Sequence, residues 1–397
     1  MKSKLQTCAP IQDSRMHSTR HIVDTTLFFA PRSGGVRSYL LTKHRYLLEQ
    51  PHVRHTVVIP GPRDAVCSSG IVQLQSPKIP FAGGYRVPLR MVAWRDTLVR
   101  LQPDLIEVGD PYHISWAALA AAERIGVPSV AFVHSDLSGL LAKRCGDWVR
   151  RHVDAYLRNL YSHFDLVMAP SRVIASRLKA IGIDRVVVQP LGVDQDIFHP
   201  SRRNPRLREE LGLSPRTRLL IFAGRMSREK CIPLLRDAVE GMGAPYHLLL
   251  VGGRVSRRVS PRVTVLAFQR DSTRLATLLA SADALIHAGA SETFGLVVVE
   301  AMACGRPVVG VRAGAVPELV TPEVGVLACA NSKSSLKEAI HALYESDMNA
   351  MSTRARARVE EYYTWRNVLG AQLRRYASLS RSLFPIAGTS INAADTL

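Results

Sequence analysis

Nowhere in the 397-residue chain do eighteen apolar residues run uninterrupted, so no stretch reads as a membrane span. Neither G-x-G-x-x-G nor G-x-x-x-x-G-K-[ST] occurs, which argues against a dehydrogenase and a P-loop nucleotidase. The six cysteines (Cys8, Cys67, Cys145, Cys231, Cys304 and Cys329) form no C-x-x-C pair. In a chain this large they read as reduced thiols of a cytoplasmic protein. The first twenty residues carry Lys2, Lys4, Arg15 and Arg20 around no apolar core, so they do not read as a secretory signal. No short-period repeat is visible, and no block of Lys and Arg is long enough for a nucleic-acid tail.

Acidic residues are scarce as well. There are 33 Asp and Glu against 52 Lys and Arg, a net charge of +19. Such a balance attracts anions: nucleic acid, an acidic membrane surface or a phosphorylated substrate. A generally basic surface with no single partner explains it equally well. Hydrophobic residues make up 47% of the chain, ample for sizeable cores, and its length suits two large domains.

Residues 1–20 read as a loose leader. A β-rich run at 21–30 ends at Pro31-Arg32-Ser33-Gly34-Gly35 and passes into a helical pattern over 36–49. A strand, a glycine turn and a helix together bring backbone N–H groups up to a close ligand such as a phosphate, although an ordinary tight turn looks the same. Further strand-like runs fall at 55–59, 104–108, 129–134, 165–169 and 185–189, with helical patterns between most of them. The segment 191–206 then reads as a linker. After it the alternation restarts, with strand-like runs at 218–223, 247–251, 262–266, 284–287, 307–311 and 325–328. Alternation of this kind predicts an α/β architecture of two doubly wound parallel sheets. The expected domains are 21–198 and 199–365, with 366–397 a C-terminal helix and tail. Ligands of such sheets bind outside the carboxyl ends of the strands, so two halves face to face predict a cleft.

One stretch dominates the second half: residues 291–317, SETFGLVVVEAMACGRPVVGVRAGAVP. If a helix begins near Phe294, Glu292 stands just before it and Glu300 lies roughly 9 Å further along. Glu300 is flanked by apolar residues almost all round, so its charge must meet solvent, a partner or a ligand. Two carboxylates can also serve as the acid and base of a glycosidase. Hydrolysis, however, has no need for the cations of Gly224-Arg225-Met226-Ser227-Arg228-Glu229-Lys230. There Arg225 would leave a strand end and Lys230 would sit in the first helical turn, both able to reach one diphosphate, unless the segment is simply a solvated turn.

His134, at the end of a strand-like run, is a candidate for substrate contact or proton transfer. Asp110, Tyr112 and Asp136 are candidates for acceptor contacts. Asp194-Gln195-Asp196 matches a metal-holding D-x-D pattern but sits in the linker, where turn formation or capping is favoured. Residues 36–49 and 143–158 mix Leu, Tyr and Trp with Lys43, His44, Arg45, Lys143, Arg144, Arg150, Arg151 and Arg158. Both are candidate basic surfaces for anionic lipid, set against ordinary packing with a solvated basic face.

SETFGLVVVEAMACGRPVV resembles the E-x7-E signature of retaining family-4 glycosyltransferases with the GT-B fold. GRMSREK resembles their G-R-x-x-x-x-K phosphate motif, LGVDQDIFHP their interdomain segment and SGGV their N-terminal glycine loop. The resemblance spans about residues 21–375. It implies two Rossmann-like domains, with the C-terminal helix crossing back onto the first. It also implies that Arg225 and Lys230 bind a donor diphosphate, that Glu292 holds sugar hydroxyls, and that Phe294, Gly295 and Leu296 offer backbone N–H groups. Glu300 would bind the ribose, Gly34 and Gly35 would approach the phosphate or acceptor, and His134 would lie near the donor sugar.

The chain departs from the family pattern at Phe268-Gln269-Arg270, at Arg254, and at His287-Ala288-Gly289-Ala290-Ser291 where Pro-Ser is usual. Similarity to the α-mannosyltransferase and sulfoquinovosyltransferase branches implies a GDP-mannose donor and a lipid or glycan acceptor. A UDP-sugar-dependent enzyme of polysaccharide synthesis is the alternative, and a basic nucleic-acid-binding protein the alternative of another class. No cofactor, metal or nucleic-acid partner is expected. The expected location is cytoplasmic or peripheral on an anionic membrane surface.

Overall fold

The computed structural model describes residues 19–30, 34–67, 69–80 and 83–379. The expected leader up to residue 18, the start of the glycine loop at 31–33 and the expected tail from residue 380 lie outside the described residues.

The first half holds β1 (Arg20–Thr25), β2 (Val53–Gly61), β3 (Ala65–Val66), β4 (Ile71–Gln75), β5 (Leu105–Val108), β6 (Ser129–Phe132), β7 (Leu166–Ala169) and β8 (Val186–Val188). They form one sheet in the order β3-β4-β2-β1-β5-β6-β7-β8, parallel throughout except for β3 on β4. The second half holds β9 (Arg218–Ala223), β10 (Tyr246–Gly253), β11 (Arg257–Ser260), β12 (Val263–Ala267), β13 (Ala284–Ile286), β14 (Val308–Val311) and β15 (Gly325–Ala328). Their order is β11-β12-β10-β9-β13-β14-β15, parallel apart from β11 against β12. Strands such as Leu219-Leu220-Ile221-Phe222 are apolar on consecutive positions because helices cover both faces of the sheet, and all four residues are fully buried.

In each sheet the strand order reverses at the first strand. β1 lies between β2 and β5, and β9 lies between β10 and β13. The loops leaving β1 and β9 are the ones that carry Gly34-Gly35 and Arg225–Lys230. Both therefore emerge at a topological switch point, where open α/β sheets leave a crevice.

An apolar cluster runs through both halves by way of Leu191, Val193 and Phe198 of the connection and Leu369 and Tyr376 of the last helix, Trp365–Leu379. The chain crosses between halves twice, and the crossings pair at Val193 and Thr364. Asp194 Oδ1 accepts the backbone N–H groups of Asp196 and Ile197, both at 3.1 Å, a local turn within the first crossing.

The last helix meets the first helix, Gly35–Leu48, over a buried polar cluster. Lys43 Nζ lies 2.8 Å from Asp24 and 3.0 Å from Glu107, and it donates to the Tyr376 hydroxyl at 2.8 Å. Tyr376 in turn donates to Glu107, as does Gln372 Nε2 at 2.9 Å. Burial raises the Asp24 carboxyl, but Lys43 and His55 outweigh it and hold that group at about 2. This corrects the reading of 36–49 as a lipid-facing basic surface. Lys43 is 1% exposed, and His44 is buried against His55 and the carbonyl of Ser69. Packing by its own sheet and by the last helix leaves only Arg45 of the three basic residues Lys43, His44 and Arg45 exposed.

Candidate active site

The signature segment folds as a loop and an eight-residue helix, Leu296–Ala303. Gly295 is its N-cap with φ +99°, a conformation that favours glycine, so the helix starts two residues later than the sequence suggests. As at any helix start, its first N–H groups, those of Leu296 and Val297, have no intrahelical acceptor.

Glu292 stands before this helix in a cage of its own half. Oε1 is bonded by Lys230 Nζ, and Nε2 of His287 lies 2.9 Å away, at a slant to the ideal N–H direction. Burial would raise this carboxyl, but His287 and Lys230 together outweigh it and hold it at about 2. Lys230 is not in the first turn of the following helix, as expected, but ends a short 3-10 turn, Arg228–Lys230, before that helix opens at Ile232. The 3-10 turn delivers its side chain inward to Glu292. Arg225 stays largely exposed, with Nη2 3.8 Å from Glu229.

Glu300 lies on the helix proper. Among the described residues no donor or cation reaches its carboxylate, and burial pushes it up to about 7. A carboxyl so placed keeps its capacity to accept a hydrogen bond.

The first half closes over this loop. Thr293 Oγ1 donates to the carbonyl of His134 at 3.1 Å, and Lys143 Nζ bonds Ser291 Oγ. A Cβ on Gly35 would sit 2.7 Å from Leu296 Cδ1, whereas one on Gly34 would meet nothing within 4 Å. Close approach of the halves thus falls on Gly35. Further along, Glu318 accepts the backbone N–H groups of Arg172 and Val173 at 2.7 and 2.8 Å, capping a helix of the opposite half with its charge.

His134 is half-buried beside Tyr39 and Phe132, with ring centroids 5.2 and 4.4 Å away. Burial, then the charge of Lys43, lowers it to about 3, so the ring is neutral near pH 7. Its Nε2 has no hydrogen-bond partner among the described residues.

Of the three acceptor-side candidates, Asp110 and Tyr112 are joined by a hydrogen bond, and Asp136 has partners of its own. Asp110 accepts from Leu27 N at 2.7 Å, Tyr112 N at 3.2 Å and the Thr26 hydroxyl at 3.1 Å, and burial pushes it up to about 6. Asp136 caps the helix Leu137–Cys145 through Gly139 N and pairs with Arg177. The ring of Tyr112 packs edge-on to Phe28 at 5.9 Å.

Sequence reasoning missed His287, Ser291, Thr293 and Glu318. His287 entered only as a departure from Pro-Ser, yet its place at the carboxyl end of β13 marked it as facing the cleft. The other three act across the halves, and local sequence carries no sign of that.

Comparison with known proteins agrees with this geometry. The model described as Glycosyltransferase Family 4 matches residues 33–197, and that described as Glycosyl transferases group 1 matches 217–346. The GDP-mannose-dependent alpha-(1-6)-phosphatidylinositol dimannoside mannosyltransferase of Mycobacterium tuberculosis is 30% identical over 387 residues, covering 91% of this chain and 97% of the relative. A GDP-mannose-dependent alpha-mannosyltransferase of Corynebacterium glutamicum is 24% identical, covering 88% of this chain and 87% of that one. Among solved structures, sucrose-phosphate synthase from Thermosynechococcus elongatus superposes with a TM-score of 0.75 at 19% identity, over 91% of this chain and 99% of that chain. The chain belongs to the family-4 glycosyltransferases of group 1 and has their GT-B fold.

Proposed function

We propose that this glycosyltransferase moves mannose from GDP-mannose to a lipid or glycan acceptor with retention of configuration. The observation that carries the reading is the pairing of Lys230 with Glu292 at the β9 switch point, in a chain 30% identical over nearly its whole length to a GDP-mannose-dependent enzyme. Arg225 and Lys230 bind the donor diphosphate, Lys230 exchanging part of its contact with Glu292 for phosphate oxygens. Glu292 then holds sugar hydroxyls, with the N–H groups of Phe294, Gly295 and Leu296 beside it. Glu300 takes the ribose. Gly34 and Gly35 let the first half approach the phosphate, and neutral His134 borders the sugar.

No carboxylate other than Glu292 and Glu300 is proposed at the site, and neither is assigned as nucleophile. Transfer therefore proceeds on one face of the sugar. The C1–O bond to phosphate breaks with its electron pair staying on phosphate, the acceptor oxygen bonds C1 from the same side, and the acceptor proton passes to the leaving phosphate. Cations and helix N–H groups stabilise the charge that develops there. Contact between the halves at Thr293 and Gly35 excludes water.

The helix Trp148–Tyr161 supports a peripheral placement. Trp148 is 67% exposed beside exposed Arg150 and Arg151, an arrangement suited to an anionic cytoplasmic leaflet. Among the described residues no helix is long and apolar enough to cross a membrane.

The test is a thermal-shift and transfer panel of GDP-mannose, UDP-glucose and ADP-glucose. GDP-mannose alone should raise the melting temperature and donate label, and Arg225→Ala, Lys230→Ala and Glu292→Ala should each lose transfer. Stabilisation by UDP-glucose instead of GDP-mannose would overturn the donor, and near-normal transfer by all three variants would overturn the site.

A further inference from the structure

A second concavity, of about 460 Å³, lies in the first half beside the start of the first helix. Its walls come from the carboxyl ends of β1 and β2, with Phe29 and Pro60 among them, and from the segment after β4, with Tyr85. Three cations line it, Arg37, Lys78 and Arg86, and no lining residue is acidic.

The two arginines are held in place, and Lys78 is exposed beside them. The Arg37 guanidinium stands 5.4 Å from the Phe29 ring centroid, and Arg86 Nη1 donates to the carbonyl of Ser76 at 2.6 Å. Lys78 and Arg86 belong to one antiparallel bridge, which fixes them side by side. Among the described residues none of the three forms a salt bridge. Like charges brought together around apolar walls repel one another, and an anion in the cavity relieves that repulsion. By contrast, the buried Lys43 of this half is balanced by Asp24 and Glu107.

Its position fits a substrate role. Arg37 stands two residues after Gly35, the point where the first half touches Leu296 of the signature helix. The cavity lies at the carboxyl ends of β1 and β2, the edge of the first sheet from which the loop to Gly34 also leaves, and this is the edge at which open α/β sheets take ligands.

We infer that Arg37, Lys78 and Arg86 form a phosphate-reading subsite that holds the phosphodiester of an acceptor headgroup while its hydroxyl is presented to the donor sugar. The inference rests on the proposed lipid or glycan acceptor and names the feature by which it is recognised. The cations supply charge-assisted hydrogen bonds to the diester, and the apolar wall suits the less polar body of the headgroup.

Calorimetric titration tests it with glycerophosphoinositol, myo-inositol and inorganic phosphate, on the full chain and on the double variant Lys78→Gln with Arg86→Gln. Glycerophosphoinositol should bind at least about ten-fold more tightly than myo-inositol, as expected for charge-assisted bonds, and the double variant should lose that preference. Stabilisation of the double variant by GDP-mannose should match that of the unaltered chain, showing that it is folded. Equal binding of diester and myo-inositol, or a preference that survives in the double variant, overturns the inference. So does inorganic phosphate binding as tightly as the diester, which would mark a free-anion site. Loss of the GDP-mannose response in the unaltered chain would sink the donor reading instead and leave the diester result standing.

Discussion

His287 Nε2 lies 2.9 Å from Glu292 Oε1, beneath the loop that faces the first half. Its other ring nitrogen, Nδ1, accepts the Gly289 N–H at 3.3 Å, which leaves the proton on Nε2, on the side of the carboxylate although off the ideal line. A fully buried ring thus fixes both the loop and the acid it carries. Replacement by Ala removes both contacts, and Gln restores a donor of similar reach. Loss of one hydrogen bond to a charged group is worth about 1.5–3 kcal/mol, or roughly ten- to a hundred-fold in rate. Steady-state kinetics should show kcat depressed by that order in His287→Ala, with partial rescue in His287→Gln. A variant that changes only KM for the acceptor would contradict this positioning role.

The Glu292 carboxyl, held at about 2 against a free value of 4.5, also stabilises the fold. A depressed carboxyl stabilises fully above its unfolded pKa, and the contribution is lost as pH falls through the folded value. The shift corresponds to about 3 kcal/mol. Urea unfolding should therefore find Glu292→Gln less stable than the unaltered chain at pH 7, by at most that amount. The gap should shrink steadily from pH 5 towards pH 2. A gap constant with pH would show that the loss is one of packing.

Glu300 carries the opposite sign. Its carboxyl is pushed up to about 7 by burial, so ionisation opposes folding. The stabilising effect of its protonated form is present below pH 4.5 and fades as pH rises to about 7. Glu300→Gln should match the unaltered chain near pH 4 and exceed it in stability at pH 8, by about 1–3 kcal/mol. The same substitution should raise KM for the donor, because the ribose loses a charged acceptor. Stability and donor affinity changing in opposite directions is the signature to measure, and their falling together would sink the assignment.

How far the sequence reached follows from the same physics. Continuous apolar runs such as those of β9 and β10 are readable because both faces of each sheet are buried, and period alone then marks the strand. The hairpin of β11 on β12 escaped because exposed Arg257 and Arg258 give it no apolar signal. β3 and β4 are a two-residue edge strand and its short neighbour, with equally little pattern. Glu292, Lys230 and Glu300 were visible as charges beside apolar segments. The contacts of Thr293 with His134 and of Glu318 with Arg172 join residues more than 140 positions apart, and only the folded chain brings them together. Lys43 misled because a buried lysine with two carboxylate partners has the same sequence pattern as a solvated one.

That lysine supports the last prediction. Lys43, Asp24, Glu107, Gln372 and Tyr376 tie the last helix to the first half. Removing the cation takes from two buried carboxylates the lysine they share, so Lys43→Met should cost about 3–5 kcal/mol, the range for breaking a buried ion pair from one side. Tyr376→Phe removes only hydroxyl contacts and should cost about 1–2 kcal/mol. The milder variant is the informative one, because it stays folded while the helix loses its anchor. Hydrogen exchange should accelerate across Trp365–Leu379 in Tyr376→Phe, and β9 and β10 should keep their protection. Transfer should weaken with it, since the helix that returns to the first half sets how the two halves meet at Thr293 and Gly35. Uniform acceleration over the whole chain would show that Tyr376 supports the core alone and has no part in holding the halves together.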